Sequence, residues 1–207
     1  MADEGGEQGL RSTRTSQSTN VPRDAVARCV EERALLFQGF DVAREQLEPL
    51  QLVRYGAGER YHFHTDWYGA PGAATRASAA LGGNRLSSFF AYVAASASED
   101  DAGDDDDGDS STAINGLKGG GTNFPMLEPP TDPRWCAFID CDEPWENGIT
   151  FRPIAGNAVF WRNLHEDGTG DQRNLHAGLP VVRGWKVGMN IWTRQGPLSE
   201  DIRGPDL

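Results

Sequence analysis

The sequence predicts a mainly β fold of the α+β kind, a double-sheet jelly roll with one or two N-terminal helices packed on an outer face. Three observations predict it. Glycine (25) and proline (12) are dense enough in 207 residues to impose many turns. From residue 51 onward the apolar residues fall in short extended runs broken by Gly, Pro or Asn, whereas helical spacing is confined to the residues before them. Six tryptophans and nine phenylalanines supply bulk for one core, and 38% hydrophobic residues exclude a chain that is disordered throughout.

In chain order, residues 1–20 are rich in Ser, Thr, Gln and Arg and read as a flexible N-terminal segment; residues 21–207 read as one jelly-roll domain. Pro22 suits the first turn of a helix expected over 22–37, with Val26, Val30, Ala34 and Phe37 at helical spacing. A second, short helix is expected over 42–47, ending before Pro49. Strands are expected over 50–55, 61–66, 86–93, 150–153, 158–161, 176–182 and 187–192. Cys136 and Cys141 fall on a strand-like segment at a spacing that does not fit a zinc Cys-x-x-Cys knuckle, and their pairing stays open.

The net charge of −12 excludes the basic patch that a nucleic-acid or anionic-membrane surface needs. Eight of the acids lie within 99–109 with no base among them, so the rest of the chain stands at about −4. This run predicts a disordered acidic insertion at about 96–118. Its glycines miss the register of a calcium loop, which also requires a closing Glu. No apolar run reaches the roughly 18–20 residues of a membrane-spanning helix. Residues 1–9 lack the basic-then-apolar pattern of a secretion signal, which makes a cytoplasmic location the default expectation.

Four histidines, His62, His64, His165 and His176, bound any metal site. His64-Thr65-Asp66 is the most informative local pattern. On a strand, positions i and i+2 share a face, so the imidazole and carboxylate would converge. A histidine from a distant strand would complete a facial 2-His-1-carboxylate triad, leaving three positions open on Fe(II). His-x-Asp alone is weak, since a hydrogen-bonded surface pair is the commoner outcome. The distal candidates are His165 and His176. Lys186 is one of two lysines against seventeen arginines. It begins an alternating stretch whose even members, Lys186, Gly188, Asn190 and Trp192, would line a pocket. A buried ammonium there needs an anionic partner.

These residues carry a family resemblance. The run Tyr55-Gly56-Ala57-Gly58-Glu59-Arg60-Tyr61-His62-Phe63-His64-Thr65-Asp66 resembles the Tyr-x-x-Gly-x-x-Tyr-x-x-His-x-Asp segment of prolyl 4-hydroxylase-like 2-oxoglutarate/Fe(II) dioxygenases. Gly119-Gly120-Gly121-Thr122-Asn123-Phe124-Pro125 is similar to that family's Gly-Gly-x-Thr-x-Phe-Pro turn. Gly156-Asn157-Ala158-Val159-Phe160-Trp161 is similar to its Gly-x-Ala-x-x-Phe/Trp strand. His176-Ala177-Gly178-Leu179-Pro180-Val181, with Gly184, Lys186 and Trp192, is similar to its distal block. The four motifs occur in order over about residues 50–194.

The resemblance implies a double-stranded β-helix that hydroxylates proline in a peptide or protein, with release of succinate and CO2. The alternatives are a free amino acid or small metabolite as substrate and, more remotely, a non-catalytic jelly-roll binding protein. It implies Fe(II) as metal, 2-oxoglutarate and O2 as cosubstrates, and ascorbate as reductant. His64, Asp66 and His176 are the implied iron ligands. Lys186 and Tyr55 would bind the far carboxylate of 2-oxoglutarate, with Trp192 beside it. Tyr61 matches an active-site tyrosine near the iron. Arg85 matches a pocket arginine, and Arg14-Thr15-Ser16 resembles part of a mobile loop that closes over peptide substrate. His165 lacks the distal context and is expected to order the 164–171 loop; His62 is expected to be pocket-side or structural. Gly121 stands where many members carry Glu, and the acidic insertion is expected beside the active-site mouth. Substrate identity and oligomeric state stay open.

Overall fold

Asp24 starts the first helix: its carboxylate accepts from the backbone N–H groups of Val26 and Ala27, and α1 (Ala25–Gln38) runs until Gly39 turns the chain at φ 58°. Pro22 therefore precedes the helix instead of lying in its first turn. Of the four residues at helical spacing, Ala34 is buried and Val30 packs on the core beside it. Ala27, Glu31 and Ala34 are buried, whereas Val26 and Phe37 are 71% and 67% exposed. Small alanines let α1 approach the sheet closely, and Glu31 is tolerated there because Arg23 donates to it at 2.6 Å. The second expected helix is a single 3-10 turn, Arg44–Gln46. The computed structural model describes residues 15–39, 42–69, 76–96 and 116–204.

Eleven strands occur among the described residues: β1 (Gln17–Asn20), β2 (Gln51–Tyr55), β3 (Tyr61–His64), β4 (Arg85–Ser96), β5 (Lys118–Gly119), β6 (Thr122–Phe124), β7 (Ile149–Phe151), β8 (Ala158–Arg162), β9 (His176–Gly178), β10 (Val181–Arg183) and β11 (Trp185–Arg194). A short helix, α2 (Glu200–Arg203), follows. The major sheet has the order β1-β2-β11-β4-β8, the minor sheet β3-β9-β6-β7, and β10 pairs with β5. All these pairings are antiparallel.

Val53, Tyr55, Phe90, Tyr92, Phe124, Val159 and Trp161 form the interior core. Phe89 and Ile191, on the other face of β4 and β11, pack with Ala27 and Ala34 of α1. Both faces of the major sheet are thus covered, which explains why β4 reads as a nearly continuous apolar run.

Four local expectations are corrected. Gln17–Asn20, placed in the flexible segment 1–20, is an edge strand on β2. The expected strand 176–182 is split, because Pro180 lacks an N–H: β9 pairs within the minor sheet, while β10 turns away to β5. Thr122–Phe124, read as a turn, is a buried central strand; the turn is made just before it by Gly119 and Gly120, each at φ 73°. The Cys136 segment is a 3-10 turn (Pro133–Ala137), and Cys136 is disulfide-bonded to Cys141; Cys29 is free and exposed.

Candidate metal centre

Strand β3 ends at His64 and the chain bends at Asp66 and Trp67, so the carboxylate is delivered from beyond the strand, not from within the strand expected over 61–66. His176 opens β9 and lies directly opposite His64. His64 Nε2 is 3.8 Å and His176 Nε2 4.0 Å from Asp66 Oδ1. One ligand atom from each residue lies within 4.8 Å of the others, forming the one such metal-capable group among the described residues.

The backbone selects which nitrogen faces the cluster. His64 Nδ1 lies 2.8 Å from the His62 carbonyl, and His176 Nδ1 2.8 Å from the Asn174 carbonyl. A carbonyl can only accept, so each Nδ1 carries the proton and each Nε2 is the basic nitrogen turned toward Asp66. His176 is further wedged between Phe124, stacked at 5.3 Å, and Trp161, tilted at 4.8 Å.

Asp66 is buried, and burial by itself would raise its pKa. The charges of His176, Arg85 and His64, with the Ser88 hydrogen bond, outweigh that and hold the carboxyl at about 2. Ser88 Oγ donates to Asp66 Oδ2 at 2.6 Å and Trp192 Nε1 to the same oxygen at 3.0 Å. Two imidazoles that turn Nε2 inward and one ionised carboxylate, with their remaining atoms already hydrogen-bonded, suit a divalent ion such as Fe(II).

Lys186 lies deeper in the same interior. It is 1% exposed and sits between β2 and β4, in register with Tyr55 and Ala95. Its Nζ donates to the Gly120 carbonyl and lies 4.7 Å from the Tyr55 ring, 5.5 Å from Phe90 and 5.8 Å from Tyr92. Desolvation pulls its pKa down to about 7. Gly188, two residues on, lets the Phe90 ring occupy the space that a Cβ would fill.

The remaining expected site residues divide. Tyr61 stacks on the His64 ring at 3.7 Å, with an interplanar angle of 23°. Trp192, expected beside the cosubstrate, donates through Nε1 to Asp66, and the Arg85 guanidinium covers its indole at 3.5 Å. Arg85, expected as a pocket arginine, is held by Glu48 through two bonds of 2.8 Å, and its NH1 approaches Asp66 Oδ1 at 4.0 Å. Glu48 also accepts from Arg194 at 2.6 Å. His165 stands apart, half-exposed beside Asp171 at 3.9 Å, in a loop closed by the Leu164–Gly170 bridge. His62 is exposed and contributes its carbonyl, not its ring.

Arg14 and positions 97–115 of the acidic run lie outside the described residues. The ends of that run are placed: Ser96 pairs with Trp185, and Gly116 accepts from Arg183. Ser88, beside Asp66, lies roughly 25 Å back along β4, at about 3.3 Å per residue. The chain therefore leaves β4 at the end away from Ser88; the segment itself, and its expected place beside the active-site mouth, lie outside the described residues. Three residues around the site carry no motif in the sequence: Ser88, Asn163 and Glu48. A buried polar residue within an apolar strand, as in Leu86-Ser87-Ser88-Phe89-Phe90, is the signal that would have found Ser88.

Comparison with known proteins agrees with this geometry. The model of the 2OG-Fe(II) oxygenase superfamily matches residues 50–194. The chain is 26% identical over 196 residues to probable prolyl 4-hydroxylase 4 of Arabidopsis thaliana, covering 92% of this chain and 56% of that one. It is 31% identical over 185 residues to prolyl 4-hydroxylase subunit alpha-2 of Gallus gallus, covering 88% and 26%. The chain thus spans about half the length, or less, of these curated relatives. Its fold resembles the viral collagen prolyl hydroxylase of Paramecium Bursaria Chlorella virus-1 in its 2OG complex, at a TM-score of 0.58 and 21% identity over 88% of this chain and 80% of that one. The chain belongs to the 2OG-Fe(II) oxygenase superfamily.

Proposed function

We propose that the chain is a 2-oxoglutarate- and Fe(II)-dependent dioxygenase that hydroxylates proline in a peptide or protein, using O2 as second cosubstrate and ascorbate as reductant. The observation that carries this is the convergence of His64 Nε2, Asp66 Oδ1 and His176 Nε2 in an interior that also buries Lys186. The prolyl 4-hydroxylase names of the curated relatives support proline as the target. When bound, iron and 2-oxoglutarate supply the oxidising chemistry: one oxygen atom goes to the substrate C–H and the other to succinate, with loss of CO2.

The chain's own groups do the rest. His64 and His176 hold the metal through Nε2 because their Nδ1 protons are committed to backbone carbonyls. Asp66 holds it through Oδ1 because Oδ2 already accepts twice. Lys186 and the Tyr55 hydroxyl bind the far carboxylate of 2-oxoglutarate; the ammonium takes back its charge as the anion replaces the neutral carbonyl that now accepts from it. Tyr61 fixes the plane of the His64 ring by stacking on it. Arg85 and Trp192 wall the Asp66 side, with Glu48 holding Arg85 in place.

The test is succinate release from 2-oxoglutarate with Fe(II), screened over proline-containing peptides and free amino acids, with the product mass checked for one added oxygen on proline. A peptide-dependent gain of one oxygen supports the proposal. Oxygen added only to a free amino acid overturns the substrate, and no succinate under any condition overturns the activity.

A further inference from the structure

We propose that Ser88 and Asn163 are positioning residues that hold Asp66 to the metal through a single oxygen, an inference that rests on the metal-site reading above. Three neighbouring strands set up the arrangement. In β4, Ser88 lies opposite Trp161 of β8 on one side and opposite Trp192 of β11 on the other. Both indole N–H groups feed hydrogen bonds that end on Asp66.

The direction of every proton in this relay is forced. An indole N–H only donates, so the 2.9 Å contact from Trp161 Nε1 requires Oδ1 of Asn163 to accept. Asn163 must then present its amide nitrogen to Ser88, where Nδ2 donates to Oγ at 2.8 Å. The Ser88 hydroxyl has one proton, and it goes to Asp66 Oδ2 at 2.6 Å. Trp192 Nε1 adds a second donor to that oxygen at 3.0 Å. Ser88 and Asn163 are 0% exposed, so water is not available to replace either contact. Asn163 is fixed in turn by its backbone: its N–H donates to the Leu86 carbonyl at 2.8 Å, and its carbonyl accepts from Asp171 at 2.9 Å.

The consequence is coordinative. An aspartate with both oxygens available can chelate a metal and take a second position. Here Oδ2 is saturated by two donors and only Oδ1 faces the imidazoles, which keeps three positions of an octahedral ion open for other ligands.

Mn(II), which is silent in oxygen chemistry, serves as the probe. Its affinity and the water-proton relaxivity per bound ion are measured for the wild type, Ser88→Ala, Asn163→Leu and the hydroxyl-retaining Ser88→Thr, alongside metal-free melting. The expectation for Ser88→Ala is an affinity loss of about 10–100-fold and a relaxivity lower by about one third, as Asp66 chelates and expels one of three waters. Asn163→Leu, of similar volume, shifts both in the same direction by less, and Ser88→Thr restores them. Wild-type protein that fails to bind Mn(II) would sink the metal-site reading itself. Wild-type binding with unchanged affinity and relaxivity in whichever of Ser88→Ala and Asn163→Leu melts normally would sink the relay alone.

Discussion

Replacing Lys186 by Ala isolates what the buried ammonium contributes. The side chain is 1% exposed and its near neighbours are a carbonyl and three aromatic rings, so its charge is poorly compensated in the empty pocket. A carboxylate entering that space would take Lys186 as its ion-pair partner, and removing one partner of a buried ion pair costs roughly 3–5 kcal/mol. Lys186→Ala should therefore weaken 2-oxoglutarate binding by about 100- to 4,000-fold while leaving Mn(II) binding within a few-fold, since Lys186 holds no metal.

A proton reports the same pairing. With the lysine at about 7 in the empty protein, binding of the dianion is independent of pH below 7. Above it, binding requires proton uptake, and affinity falls by about tenfold per pH unit. The stability of the empty protein moves the other way. The folded value lies below the usual 10.5, so the cost of burying the ammonium is full below pH 7 and fades as the pH rises toward 10.5. The assay is calorimetric titration of 2-oxoglutarate into the Mn(II)-loaded protein at pH 6.5 and 8.5, in buffers of different ionisation enthalpy. Equal affinities for wild type and Lys186→Ala, or no proton uptake at pH 8.5, would refute the reasoning.

Further outcomes follow from other contacts. His64→Ala, Asp66→Ala and His176→Ala should each abolish Fe(II)-dependent turnover with the fold kept, whereas His165→Ala, altering a half-exposed side chain outside the cluster, should retain it; an active His176→Ala beside an inactive His165→Ala reverses the assignment. Glu48→Gln should destabilise the protein by about 3–5 kcal/mol at neutral pH, because Arg85 and Arg194 lose their shared carboxylate. Burial opposes ionisation of Glu48, but the two guanidiniums hold its pKa below the usual 4.5, so its contribution is present above that value and fades as the pH falls through the folded one. Melting curves of the wild type and variant should then converge in acid, and parallel pH profiles would count against this. Replacing 99–109 by a short Gly/Ser link should leave 2-oxoglutarate affinity within about twofold, since the like charges of this segment repel and offer little to bury; a large loss in titration would show that the segment supports the pocket.

The cluster's chemistry was legible from local pattern because metal ligation limits the residue types. His64-Thr65-Asp66 and the two distal histidines bounded a metal site, and the family-like motifs singled out His176 and, with it, Lys186. The strands were legible where one face alternates, as in β11, and where Gly or Pro marks the ends. Helix α1 was found with half of its face: of the residues at apolar spacing, Val30 and Ala34 pack while Val26 and Phe37 are exposed, and the buried face is completed by Ala27 and the Arg23–Glu31 pair. Thr122–Phe124 was hidden because three residues carry no periodicity, and its strand state comes from pairing on both sides by β7 and β9.

By itself, then, the sequence determined the fold class and the residue types available as ligands, and it singled out Lys186 as a pocket-side cation. These follow from residue chemistry and local spacing. Only the tertiary structure decided how those groups are held. It placed Arg85 on Glu48, aimed Trp192 at Asp66 and set Ser88 between two tryptophans. Each of these joins residues far apart in the chain through strand register and side-chain hydrogen bonds, and a register is fixed only when whole sheets pair and their inner faces exclude water.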